Sequence, residues 1–271
     1  MILNKRQILR LQKEGRIHWF DQKNKILYKI YKNDNLLDGS ESLNTRLTQI
    51  VELSSSMEFI PKITYSYEED FLIMRQNKLV KDSQLDQIEP FEKKLTLIKQ
   101  FSKSLDMLHA KGFVHGDINR KNIIFSNDRL CLIDFEPSLL QFKNYAKQWM
   151  STRPYIHSDD IKNKCITINS DLLGFSCFVN WFFLFDNPPQ YYSDECSKII
   201  NESKLGLNPF ENLVDILLER IINIKPPVIN QDEIQKHIEH VVWSYGESLD
   251  NWNYSDYLEP KSQLTKIPKK N

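Results

Sequence analysis

The sequence predicts an α+β fold: a small antiparallel sheet with one helix, followed by a mainly helical remainder. Three observations carry this. Residues 16–31 and 62–74 hold short runs in which apolar and polar residues alternate between turn-forming clusters, as half-buried strands do. Residues 90–111 repeat apolar residues at three-to-four spacing with lysines interleaved, the pattern of an amphipathic helix. Residues 172–185 are almost continuously apolar, interrupted by Asn180, and too short to span a bilayer, so they read as a buried helix.

Taken in order, Gln7–Leu11, Arg16–Phe20 and Lys25–Tyr31 are expected as three strands, turning at Lys13-Glu14-Gly15 and Asp21-Gln22-Lys23-Asn24. In the third, Ile26, Tyr28 and Ile30 alternate with Leu27, Lys29 and Tyr31, which sets Lys29 among apolar neighbours in a central strand. A helix is expected over Ser40–Ser54, N-capped by Ser40, with Leu43, Leu47, Ile50 and Val51 on one face. Lys62–Tyr67 and Phe71–Met74 then close a five-stranded sheet, and Arg75-Gln76-Asn77 is expected to connect onward. In Pro90–Lys111, Leu95, Ile98, Phe101, Ser102, Leu105 and Leu108 form the buried stripe; Lys93, Lys94, Lys99 and Lys103 form the wet side. Gly112 ends this helix. Two short strands flank Ser126-Asn127-Asp128, residues 137–164 are expected to be irregular, and Ser170 or Asp171 is expected to cap the buried helix. Further helices are expected near Asp194–Asn201, Asn208–Ile224 and Gln231–Trp243, before a basic tail from Lys261 to Asn271.

The balance of 36 Lys+Arg against 36 Asp+Glu leaves no net charge, so there is no global pull toward nucleic acid or an anionic membrane. With 41% hydrophobic and 27% charged residues, the chain has the composition of a soluble globular protein. Its four cysteines lack Cys-x-x-Cys spacing, which argues against zinc and a disulfide framework. His237 and His240 share a helical spacing but have no Cys or carboxylate partners nearby, so they make a poor zinc site. The first residues contain no long apolar segment, so no signal peptide is expected, and the expected location is cytoplasmic.

The chemistry concentrates in Phe113-Val114-His115-Gly116-Asp117-Ile118-Asn119-Arg120-Lys121-Asn122, answered by Leu132-Ile133-Asp134-Phe135-Glu136. Phosphoryl transfer from ATP needs a carboxylate near the attacking hydroxyl, an amide oxygen on one metal ion and a carboxylate on the bridging Mg²⁺. Asp117, Asn122 and Asp134 supply those three groups in that order. All are hard oxygen donors of the kind Mg²⁺ prefers. A hairpin whose Asp and Asn serve only turns would not need both halves of the pattern behind a leading helix.

The two stretches resemble the catalytic-loop and Asp-Phe-Gly motifs of the protein-kinase-like superfamily, in the form of an atypical bacterial or phage Ser/Thr kinase-like protein with His-Gly-Asp and Asp-Phe-Glu. The resemblance is strong over residues 90–136 and loose elsewhere. It implies two lobes, residues 1–75 and 76–260, the first a five-stranded antiparallel sheet with one helix, with ATP and Mg²⁺ between them and residues 261–271 as a tail. It also implies that Lys29 holds the nucleotide phosphates, that a helix glutamate, Glu52, pairs with Lys29, and that Met74 flanks adenine while the Gln76 and Asn77 backbone reads the base edge. Asp171 would hold the catalytic-loop backbone from below, in a Ser-Asp-x-x-x-x-Gly-like opening whose Gly174 comes one place early. Thr152 would hydrogen-bond Asp117.

The departures from the family pattern are specific. Only Gly15 stands where a glycine-rich loop is usual. Gly116 replaces the arginine that pairs with an activation-segment phosphate, so activity gated by such a phosphate is not expected. Asn119 replaces the usual lysine, leaving Arg120 or Lys121 to meet the γ-phosphate, and Glu136 replaces the glycine after Asp-Phe. The function implied is an ATP- and Mg²⁺-dependent protein serine/threonine kinase. Its alternatives are a small-molecule kinase similar to aminoglycoside, choline or lipopolysaccharide-sugar kinases, or a pseudokinase scaffold. The partner would be a protein substrate or a small hydroxyl acceptor, with no nucleic acid and no membrane span.

Overall fold

Alternation in the first hundred residues builds one antiparallel sheet. A computed structural model describes residues 16–32, 41–68, 71–79, 81–137, 140–141, 148–149, 155–163, 165–184 and 193–223. Strands β1 (Arg16–Asp21), β2 (Ile26–Lys32), β3 (Ile63–Glu68) and β4 (Phe71–Asn77) pair in the order β1-β2-β4-β3. The described sheet thus has four strands, and the expected fifth, residues 7–11, lies outside the described residues, as do Gly15 and Thr152. Lys29 faces His18 on one side and Met74 on the other, so it sits in a central strand. The period of two gives β2 two distinct faces. Ile30 packs with Ile73 on one face, while Lys29 and Tyr31 are buried on the other.

Helix α1 (Glu41–Ser56) packs on β3 and buries Leu43, Leu47, Ile50 and Leu53. Strand β4 runs through residue 75 to Asn77, past the expected lobe boundary. Its polar end remains strand because main-chain pairing to Leu27 and Ile63 does not require apolar side chains.

Helix α2 (Phe91–Ala110) buries Leu97, Ile98, Phe101, Ser102, Leu105 and Leu108. Lys94 departs from the expected wet side. It lies one turn before Leu97 and Ile98, on the same face, and is 4% exposed, with its ammonium 3.6 Å from Glu89 and over the ring of Phe182. Gly112, with φ +73°, then turns the chain out of the helix. Strands β5 (Ile123–Ser126) and β6 (Arg129–Leu132) form a hairpin through Asn127 and Asp128, both at positive φ as a two-residue turn of this hand requires.

The remaining described elements are a two-residue ribbon, β7 (Leu140–Gln141) with β8 (Gln148–Trp149), and the helices α3 (Ser158–Asn163), α4 (Ile168–Leu184), α5 (Ser193–Glu202) and α6 (Pro209–Asn223). Helix α4 starts at Ile168, at least three residues earlier than expected. Thr167 Oγ1 accepts the Asn169 N–H as an N-cap would, leaving Asp171 inside the first turn and free for another task. Helices α2, α4 and α6 pack together around Phe101, Phe175, Phe178 and Phe210. Among the described residues, no helix is long and apolar enough to cross a membrane. The expected helix near residues 231–243, His237, His240 and the basic tail lie outside the described residues.

Candidate active site

The loop after α2 is held from beneath by a buried carboxylate. Asp171 accepts the His115 N–H at 2.7 Å and the Gly116 N–H at 2.6 Å. Gly116, at φ +83°, adopts the left-handed turn that lets both amides point the same way. Replacing Asp171 by Asn turns one acceptor oxygen into a donor against a buried N–H. The expected cost is about 1–3 kcal/mol, read as a lower urea midpoint without a change in slope.

Above that brace, His115 ties the loop to the β6 end. The Asp117 N–H donates to His115 Nδ1 at 3.2 Å, so Nε2 carries the proton and donates to Ile133 O at 3.0 Å. Burial pushes the His115 pKa below its ordinary 6.5. On acidification the unfolded chain therefore takes up a proton that the folded chain refuses. The stability due to the neutral ring is complete above pH about 6.5 and is lost below it, by up to about 1.4 kcal/mol per pH unit. Urea titrations at pH 7 and 5 should show this loss, and His115→Asn should flatten the slope.

Asn122 joins the two halves. Its Nδ2 donates to Asp117 Oδ2 at 2.8 Å and to Asp117 O at 2.9 Å, and its backbone carbonyl accepts the Ile133 N–H at 2.8 Å. With the amide nitrogen committed to Asp117, the Asn122 side-chain oxygen is the atom left to meet a cation. Asn119 tightens the same turn, with Nδ2 donating to Asp117 O and Oδ1 accepting the Lys121 N–H.

Asp134 follows Ile133 at φ +70°, a conformation that costs an aspartate little but still needs support from its surroundings. That support is Lys29, whose Nζ lies 2.5 Å from Asp134 Oδ1, 3.1 Å from Glu136 Oε1 and 3.3 Å from Phe135 O. Burial alone would push the Lys29 pKa down, but the adjacent Glu136 and Asp134 carboxylates outweigh it and raise it. Burial likewise works to raise the Asp134 pKa, yet Lys29 holds it below the ordinary carboxylate value. Both groups are therefore charged at neutral pH. Phe135 is fully buried between Phe113 and His115.

The expected helix carboxylate is corrected. Glu52 is exposed on α1 and is not a partner of Lys29. The glutamate that meets Lys29 is Glu136, whose second oxygen accepts the Tyr31 hydroxyl at 2.6 Å. Sequence reasoning missed this pair, although Lys29 and Tyr31 share one face of β2 and can hold both oxygens of one carboxylate. The expected base-reading edge is also revised. Met74 is buried opposite Lys29, but the Asn77 N–H donates to Lys62 O at 2.9 Å and so belongs to the sheet. Gln76 is buried in the same strand.

Asp134 and Asn122 fit a magnesium ion chemically, one carboxylate and one amide oxygen, with substrate phosphates and water to complete the shell. Among the described residues there is no cluster of three or more His, Cys, Asp or Glu that could hold a metal ion. The phosphotransferase enzyme family, APH, matches residues 55–141, a stretch that contains Asp117, Asn122, Asp134 and Glu136. Pseudokinase OPG198 of vaccinia virus, in the Ankara and Copenhagen strains, is 29% identical over 102 residues. The alignment covers 34% of each chain, so this chain spans about a third of the length of the curated relatives it matches.

Over residues 55–141 the chain is similar to kinase-like phosphotransferases. A solved structure with a similar kinase-like chain, the PK-1 kinase of Cydia pomonella granulovirus, has 13% identity and a TM-score of 0.43, covering 66% of this chain and 75% of that one. The strand lysine Lys29 pairs with Glu136.

Proposed function

We propose that the chain is an ATP- and Mg²⁺-dependent phosphotransferase that acts on serine or threonine hydroxyls of a protein. The observation that carries this is the joined set of Lys29, Asp117, Asn122 and Asp134, linked through Ile133. A chain that had abandoned catalysis would have no need to keep the Lys29–Asp134 and Asp117–Asn122 pairs joined through Ile133. Residues 1–75 and 76–260 would form the two lobes, with the strand boundary extended to Asn77.

In this mechanism Asp117 accepts the proton of the acceptor hydroxyl as its oxygen forms the new bond to phosphorus and the bond to ADP breaks. Asn122 holds Asp117 Oδ2 and so fixes the orientation of the carboxylate. Asp134 and the Asn122 oxygen would hold magnesium, which neutralises charge on the transferring phosphates. Lys29 leaves Asp134 for the α- and β-phosphates while remaining on Glu136. Arg120 or Lys121 would meet the γ-phosphate. Met74 and Gln76 would lie near adenine, with Gly15 near the phosphates.

Two other readings each have an observation behind them. The His-Gly-Asp and Asp-Phe-Glu motifs, within the stretch that matches the phosphotransferase enzyme family, are equally compatible with a small hydroxyl acceptor such as an aminoglycoside, choline or a sugar. The vaccinia relative favours a pseudokinase. Intact-mass spectrometry after incubation with Mg-ATP separates them. Mass gained in steps of one phosphate by the wild type, and not by Asp134→Ala or in EDTA, supports a protein kinase. ATP binding without mass gain directs the search to small acceptors by ATP turnover. Neither binding nor gain leaves the pseudokinase.

A further inference from the structure

Among the described side chains of helix α1, the one that reaches the site is an arginine. Arg46 falls on the apolar face of α1, three residues after Leu43 and four before Ile50, where an inward residue is required. Its Nε donates to Glu136 O and its Nη1 to Val114 O, each at 3.0 Å, and its guanidinium lies 4.3 Å from the centre of the Phe113 ring. Nη2 is enclosed without a hydrogen-bond partner. Burial pushes the Arg46 pKa down to about 10, which leaves it charged at neutral pH. One planar cation thus bridges the start of the catalytic loop and the end of Asp-Phe-Glu, a task that a fork of fixed donors suits.

We propose that Glu136 is the positioning residue of Lys29 and that Arg46 is the clamp through which α1 holds Glu136 and the catalytic loop in place. The charges are exchanged relative to the expectation: the carboxylate stands two residues after Asp134, and the helix carries the cation. Both Glu136 oxygens are taken, one by Lys29 and one by Tyr31, so the side chain has a single orientation. Its backbone carbonyl is taken by Arg46. Lys29 and Glu136 therefore move as one unit. A displacement of α1 reaches that unit through the Arg46 guanidinium, without first breaking the lysine–glutamate pair.

The consequence for nucleotide binding rests on the phosphotransferase reading; the clamp itself does not. The test compares wild type, Glu136→Gln, Arg46→Met and Glu52→Gln with two readouts, binding of a fluorescent ATP analogue with Mg²⁺ and hydrogen exchange. Glu136→Gln and Arg46→Met should weaken analogue binding about tenfold, and Glu52→Gln should leave it unchanged. In Arg46→Met, amides of residues 113–117 and 133–136 should exchange faster while those of α6 keep the wild-type rate. Loss of binding in Glu52→Gln but not in Glu136→Gln would overturn the assignment. Exchange that is unchanged, or faster everywhere, would overturn the clamp by showing no local coupling. If the wild type binds no analogue, the phosphotransferase reading fails and the exchange pattern alone decides the clamp.

Discussion

Asp117→Asn should slow phosphotransfer by about 10²–10⁴-fold, the usual contribution of a positioned general base. The affinity for Mg-ATP should hardly change, because Asp117 is assigned to the acceptor and not to the nucleotide. An asparagine can keep its carbonyl oxygen on Asn122 Nδ2, where Asp117 Oδ2 now accepts at 2.8 Å, so the loop should retain its shape. What it loses is the acceptor for the hydroxyl proton. Single-turnover transfer measured beside analogue binding separates the two effects, since a residue used only in the transition state lowers rate without lowering ground-state affinity. Near-wild-type transfer by this variant would remove Asp117 from the mechanism.

How much of this arrangement could be read before the structure depended on how far apart in the chain the partners lie. The central-strand position of Lys29 was legible because its alternation with Tyr28 and Ile30 is local. The loop was legible because a strongly periodic helix, a glycine stop and a motif follow one another without interruption. The carboxylate that pairs with Lys29 was not legible, since it lies 107 residues further along and no periodicity links the two positions. Searching α1 for a glutamate returned Glu52, which is helical but on the wrong face. The inward residue was an arginine, and Arg46 at apolar spacing was the signal that could have been followed. The end of β4 was misjudged for a different reason. Arg75-Gln76-Asn77 has loop composition, but Asn77 donates its amide to Lys62 O and the chain pays no penalty for polar side chains there. Lys94 shows the same limit, because a lysine can enter an apolar face when its stem packs and its head finds Glu89.

Gly174→Ala should destabilise the fold by about 3 kcal/mol or more, at the upper end of what an added methyl costs in a packed interior. Alanine is ordinarily the better helix former, and at an exposed helix position this change would stabilise by about 1 kcal/mol. Here α4 presses its backbone against the catalytic loop. A Cβ at residue 174 would overlap the Ile118 carbonyl oxygen and come within 3.0 Å of its carbonyl carbon. The obstacle is main chain, so it cannot rotate aside as a flexible side chain would. Relief requires α4 to withdraw or the loop to lift, and Ile118 is the residue immediately after Asp117. Lifting the loop also pulls the His115 and Gly116 amides away from Asp171, one turn earlier on the same helix. The stability loss and a loss of transfer should therefore appear together, the first as a lower urea midpoint and the second as slower single-turnover transfer at a temperature where the variant is still folded. A variant with wild-type stability would mean that α4 and the loop are not in backbone contact. A destabilised variant with unimpaired transfer would mean that the contact supports the fold without positioning Asp117.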